Sequence, residues 1–167
     1  MPGVGVGLTA RPRHGSTMTP RKNTGATQKV LVADDEQTIR YVMRRLLERE
    51  GLEVVCAENG IQALELFEQE QPDLVMLDVM MPGLSGFEVC EQLKSKPENK
   101  LIPVVIVTAS SSKDNRMHGL EIGADDFLSK PVDQVELIAR VRSLLRIKRY
   151  TDELERAETV LFALAQS

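Results

Sequence analysis

The sequence predicts an open α/β domain with five parallel strands in a doubly wound sheet, extended at its carboxyl end by further helix. Three observations carry this reading. Short apolar runs alternate with amphipathic helical patterns, as in successive βαβ units. The runs Lys29–Ala33, Leu74–Leu77 and Val104–Val107 are almost continuously apolar, as expected of strands covered on both faces. Four runs end in polar residues, Asp34-Asp35, Asp78, Thr108 and Lys130-Pro131. In a parallel sheet these would share one edge, where open α/β sheets place their sites.

Each element follows in order. Strand one begins at Lys29, and Ile39, Val42, Met43, Leu46 and Leu47 mark one face of helix one, which Gly51 ends. Strand two covers Glu53–Ala57, and Ile61, Leu64 and Phe67 mark helix two. Pro72 precedes strand three, and the turn Met80–Gly86 follows Asp78. Phe87, Val89, Cys90 and Leu93 lie on helix three, and Pro103 opens strand four. A more polar helix four covers Lys113–Ile122 and stops at Gly123, with strand five over Ala124–Leu128. A long helix five starts near Asp133.

The helical pattern continues past Lys148, and Ile147, Tyr150, Leu154, Ala157, Leu161 and Leu164 alternate at spacings of three and four, a heptad seam. It can pack on its own domain or pair with a second chain; pairing is the reading we prefer. The seam runs to Ser167 without a cap, as expected of a pattern that continues in a longer protein. Three segments result: a disordered basic tail over 1–28, a domain over 29–148, and a helical linker over 149–167 leading to an output domain outside these residues.

Composition narrows the function. The 42% hydrophobic content supports a core for one domain in 167 residues. Residues 1–29 hold five basic groups and no acid, so the net charge of −4 hides an acidic body. Such a body argues against nucleic-acid binding by the globular part. The amino-terminal stretch lacks the apolar region of a secretory signal, no run is long enough to suggest a membrane span, and Met18 is a candidate start. Cys56 and Cys90 follow no ligand spacing and read as small apolar residues in a reducing cytoplasm. Arg140, Arg142, Arg146, Lys148 and Arg149 read as a solvated helix face.

The strand-end residues carry the chemistry. Adjacent carboxylates such as Asp34 and Asp35 are unfavourable unless a cation neutralises them. Mg²⁺ suits them, since it takes one or two carboxylates together with waters and phosphoryl oxygens. Asp78 then stands where a carboxylate nucleophile can form an aspartyl phosphate. Lys130 and Thr108 are placed to stabilise charge on the transferring oxygens. Each residue also has a plain structural explanation, the acidic pair as a helix start and the lysine as a solvated side chain. Their joint occurrence in this order is what speaks for chemistry.

Val30-Leu-Val-Ala-Asp-Asp-Glu36, Leu77-Asp-Val-Met-Met-Pro-Gly83, Val107-Thr-Ala109 and Phe127-Leu-Ser-Lys-Pro131 resemble the four motifs of response-regulator receiver domains of two-component signalling. The resemblance implies the flavodoxin-like (βα)5 fold with strand order 2-1-3-4-5. It implies Asp78 as phosphoacceptor, and Asp34, Asp35, Asp78 and the Met80 backbone carbonyl as the Mg²⁺ ligands, with Asp35 the more direct of the acidic pair. It implies Lys130 as the phosphoryl-contacting lysine before a cis proline, Thr108 as the switch hydroxyl and Phe127 as the switch aromatic. Met80 and Ser110 fall where receivers tune hydrolysis of the acyl phosphate. The implied partner is a histidine kinase or phosphotransfer protein in the cytoplasm. His14 and His118 are not expected to be internal donors.

Two other readings stand beside this one. A haloacid-dehalogenase-type phosphohydrolase also forms an aspartyl phosphate, but from an Asp-x-Asp motif after strand one; here that position reads Asp34-Asp35-Glu36. A dimerising scaffold would use the carboxyl-terminal helix, with phosphorylation secondary. Residues 152–167 resemble the helical linker that precedes output domains of the HD-GYP phosphodiesterase class. None of that class's catalytic motifs is present, so cyclic-dinucleotide hydrolysis is not assigned to these residues. The chain itself reads as a phosphoacceptor switch rather than an enzyme.

Overall fold

A computed structural model describes residues 27–109 and 112–167. Five strands, β1 (Lys29–Ala33), β2 (Glu53–Ala57), β3 (Leu74–Asp78), β4 (Val104–Thr108) and β5 (Asp126–Ser129), form one sheet. The order is β2-β1-β3-β4-β5 and every pairing is parallel. Five helices connect and follow them: α1 (Gln37–Arg49), α2 (Gly60–Glu70), α3 (Gly86–Lys94), α4 (Lys113–Glu121) and α5 (Gln134–Ala165).

Side chains alternate across each strand, and both faces are filled. Leu31, Val75, Leu77, Val104 and Ile106 pack with Ala63 and Phe67 of α2 and Val89, Cys90 and Leu93 of α3. Val30, Val32, Met76, Val105 and Val107 pack with Met43 and Leu47 of α1 and Leu137, Val141 and Leu145 of α5. This two-sided burial is why the central strands read as unbroken apolar runs. Removing one such side chain, Ile106→Ala for instance, costs about 2–5 kcal/mol.

Most helix starts are capped locally. The Asn59 side chain accepts from the Gln62 N–H, Ser112 from Asn115 and Asp133 from Glu136. Ser85 and Glu88 form a reciprocal capping box at α3. At α1 the N-cap, Glu36, makes no side-chain bond; its own N–H donates to Asp34 Oδ1 at 2.9 Å. Asp34 thus does part of the work of a helix start while sitting in the site.

Several expectations shift. Val42 and Ile61, assigned to buried helix faces, are exposed. Strand β5 starts at Asp126 rather than Ala124. The Ala124 N–H caps α4 through the Gly119 carbonyl, and the Asp125 carboxylate accepts from the Val104 N–H, so those residues connect α4 to the strand rather than belong to it. Ile122 is the C-cap of α4 rather than its last helical residue. Helix α5 runs unbroken through residues 148 and 149, so the expected helical linker continues the domain's last helix, as the pattern past Lys148 implied. Lys148, expected to be solvated, is buried in an ion pair with Asp152. The seam residues Ile147, Tyr150, Leu154, Ala157, Leu161 and Leu164 are all exposed, so they do not pack on their own domain. Both cysteines are free; Cys90 is buried, which pushes its thiol up to about 11, and Cys56 is half-buried. No described helix is long and apolar enough to cross a membrane. The expected tail, apart from residues 27 and 28, together with His14 and Ser110, lies outside the described residues.

Candidate phosphoryl-accepting site

Strand register builds the site. Ala33 lies level with Leu77, Asp78 with Val107, and Thr108 with Ser129. The residues that end or follow these strands therefore emerge together at one sheet edge. Asp34 and Asp78 are buried and Asp35 is exposed, and each offers a carboxylate oxygen within 4.8 Å of the others. Lys130 Nζ reaches Asp34 Oδ2 at 2.7 Å and Asp78 Oδ2 at 3.4 Å. Thr108 is fully buried at the end of β4, and its carbonyl accepts the Lys130 N–H at 2.9 Å. The Lys130–Pro131 peptide is cis, as expected from the motif.

The electrostatics follow from this crowding. Burial, then the nearby charge of Asp34, holds the Asp78 carboxyl above its ordinary range against the pull of Lys130. For Lys130, burial opposes the charged form, but the hydrogen bond to Asp34 and the charges of Asp34 and Asp78 outweigh it and raise its pKa. Three carboxylates gather at this edge and Lys130 pairs with two of them, which leaves an uncompensated charge of the size a divalent cation supplies. Oxygen ligands of this kind fit Mg²⁺.

The loop after β3 is held against the acceptor. The Met80 N–H donates to Asp78 Oδ1 at 3.4 Å, and the Met80 side chain is exposed. The Arg40 guanidinium donates to the Asp34 carbonyl at 2.7 Å. Gly86 opens α3 so close to β3 that a Cβ there would lie 2.2 Å from the Asp78 carbonyl oxygen. Gly86 and Arg40 were not identified from the sequence. Gly86 has an undistinguished place in a Gly-rich turn, and Arg40 acts on a backbone atom, so neither leaves a motif. Phe127 is half-buried at the α3–α4 face, its ring centroid 6.4 Å from that of Phe87.

The family model for the response regulator receiver domain matches residues 30–142. The chain belongs to this family. This receiver is 46% identical over 130 residues to response regulator PleD of Caulobacter vibrioides, covering 78% of the chain and 29% of PleD. It is 43% identical over 132 residues to response regulator MprA of Mycobacterium ulcerans, covering 79% of the chain and 56% of MprA. The chain thus spans well under two thirds of either relative. Among solved structures, the Francisella response regulator 1452 receiver domain matches at 37% identity and TM-score 0.67, over 72% of this chain and 98% of that one. The Vibrio cholerae chemotaxis protein CheY4 matches at 29% identity and TM-score 0.68, over 71% and 99%. The receiver serves two-component signalling, and its fold is the CheY-like, flavodoxin-like one with a longer last helix.

Proposed function

We propose that this receiver takes a phosphoryl group on Asp78 from a histidine kinase or phosphotransfer protein and relays it as a change at the α4–β5–α5 face. The observation that carries this is Lys130 lying within reach of both Asp34 and Asp78 at the edge where Asp35 and Thr108 also arrive.

In the reaction a carboxylate oxygen of Asp78 attacks phosphorus, a new O–P bond forms, and the N–P bond of the donor phosphohistidine breaks to release imidazole. Lys130 neutralises charge on the phosphoryl oxygens and Thr108 donates its hydroxyl to one of them. Asp34, Asp35, Asp78 and the Met80 carbonyl would hold Mg²⁺. When bound, the ion supplies positive charge to the transferring oxygens. The added phosphoryl oxygens favour Lys130 turning from Asp34 toward Asp78, and Phe127 follows the space that Thr108 leaves. Phosphorylation is then a local charge change biasing a two-state element. The test is labelling by acetyl phosphate and Mg²⁺: Asp78→Asn abolishes it, and persistent labelling at another residue overturns the assignment.

The exposed seam favours a second element, a homodimer through the outer part of α5, with phosphorylation setting its strength. Sedimentation with and without beryllofluoride checks this; a monomer under both conditions refutes it. An output domain of the HD-GYP class rests on the helical pattern of residues 152–167 alone. The phosphohydrolase alternative lacks support because the candidate nucleophile ends β3 rather than β1; steady turnover of a generic phosphate ester would revive it.

A further inference from the structure

Glycine at position 119 is unexpected on propensity. It is the seventh of nine residues in α4 and is buried, where glycine costs about 1 kcal/mol relative to alanine. The structure shows what occupies the space. A Cβ at Gly119 would lie 2.5 Å from Phe127 Cε2 and 3.3 Å from Cδ2, far inside ordinary carbon–carbon contact. On another side the ring meets Phe87, whose own ring packs edge-on against His118 at 4.7 Å. Phe87 directly follows Gly86, the residue seated on the Asp78 carbonyl.

The sheet ties this ring to the site. Phe127 lies level with Ile106, and Ser129 with Thr108, so the Phe127 ring and the Thr108 side chain leave the same face of the sheet two residues apart. Strand β5 cannot slide to relieve a clash, since it is paired to β4 along its length. The ring is the part that can yield.

We infer that Gly119 is a positioning residue of the switch: the space left by its absent side chain seats the Phe127 ring, and closing that space redistributes the receiver between its two states. The inference rests on the proposed phosphorylation of Asp78 and adds the residue on α4 that receives the signal. Any side chain at 119 excludes the ring from this seat while leaving the phosphoryl pocket untouched. Phosphoryl binding and ring position are then coupled, and the coupling is reciprocal.

A double-mutant cycle on the full chain tests it. Beryllofluoride affinity with Mg²⁺ is measured by calorimetry for wild type, Gly119→Ala, Phe127→Leu and the double variant, and thermal unfolding is recorded for each. Gly119→Ala is expected to change the affinity by about fivefold or more when Phe127 is present. In the Phe127→Leu background the change falls below about twofold. Improved helix propensity alone would act equally in both backgrounds, so equal changes, or none in either, overturn the inference. Beryllofluoride binding as tight to Asp78→Asn as to wild type would instead overturn the phosphorylation reading, and this inference with it.

Discussion

Lys130 Nζ lies closer to Asp34 Oδ2, at 2.7 Å, than to Asp78 Oδ2, at 3.4 Å. The lysine thus bridges two buried carboxylates from different strands and is held mainly by the one that is not the proposed acceptor. Removing it leaves both acids without their shared cation. Lys130→Met is expected to lower stability in EDTA by about 2 kcal/mol, read as a reduced urea midpoint, and to lose most phosphoryl labelling. An unchanged midpoint would show that the pair is solvent-screened.

Asp78 is the opposite case. Burial and the charge of Asp34 raise its pKa, so its ionisation works against the fold. The favourable share of its neutral form is complete below the unfolded pKa and is lost as pH rises through the folded one. Asp78→Asn is therefore expected to be more stable than wild type near pH 7 without metal. The advantage should shrink as the solution is acidified; urea titrations at several pH values check the sign.

Protons and Mg²⁺ compete for the same oxygens. At ten times its Kd, Mg²⁺ should stabilise the receiver by about 1.4 kcal/mol. Its apparent affinity should weaken as pH falls through the raised pKa of Asp78. Mg²⁺-dependent melting shifts that are constant across the acid range would contradict this.

Gly86→Ala pushes a methyl group into the Asp78 carbonyl, which is backbone and cannot move aside. A loss of about 2–3 kcal/mol is expected, together with slower labelling by acetyl phosphate, because the acceptor's peptide is displaced. The same substitution at Gly83, where a Cβ meets nothing within 4 Å, is a control for turn conformation because its φ is +75°.

Met80 carries an exposed apolar side chain two residues beyond Asp78, whose Oδ1 accepts its N–H. Met80→Asn, which offers a hydrogen-bonding group to water, should shorten the lifetime of the aspartyl phosphate. Decay of the labelled protein in EDTA measures it, and equal rates in the two proteins would remove Met80 from any role in hydrolysis.

The sequence was most readable where chemistry and periodicity coincide. The sites at the ends of β1, β3 and β4 stand out because a polar residue follows a run buried on both faces. The start of β5 was misplaced because Ala124 and Asp125 carry strand-like neighbours, yet their backbone and carboxylate are taken by α4 and Val104. Val42 and Ile61 fit a helical period but fall at the margins of the buried faces. Gly86 and Gly119 act through space they leave empty, and empty space has no residue type to announce it. The continuation of the helix past Lys148 was legible, because the apolar spacing of three and four carries straight on, and the backbone continues with it.

That continuity gives α5 a mechanical meaning. From Leu145, its last residue in the core, to Ala165 the helix reaches about 30 Å without a hinge residue, so its root is clamped in the domain while its far end stands free. A tilt of roughly 5° at the root would sweep the tip through about 2–3 Å by this length, about half a helical turn. If the proposed phosphorylation shifts the root of α5, the helix would act as a lever arm, and the displacement at its tip would be set by helix length rather than by the chemistry that triggers it.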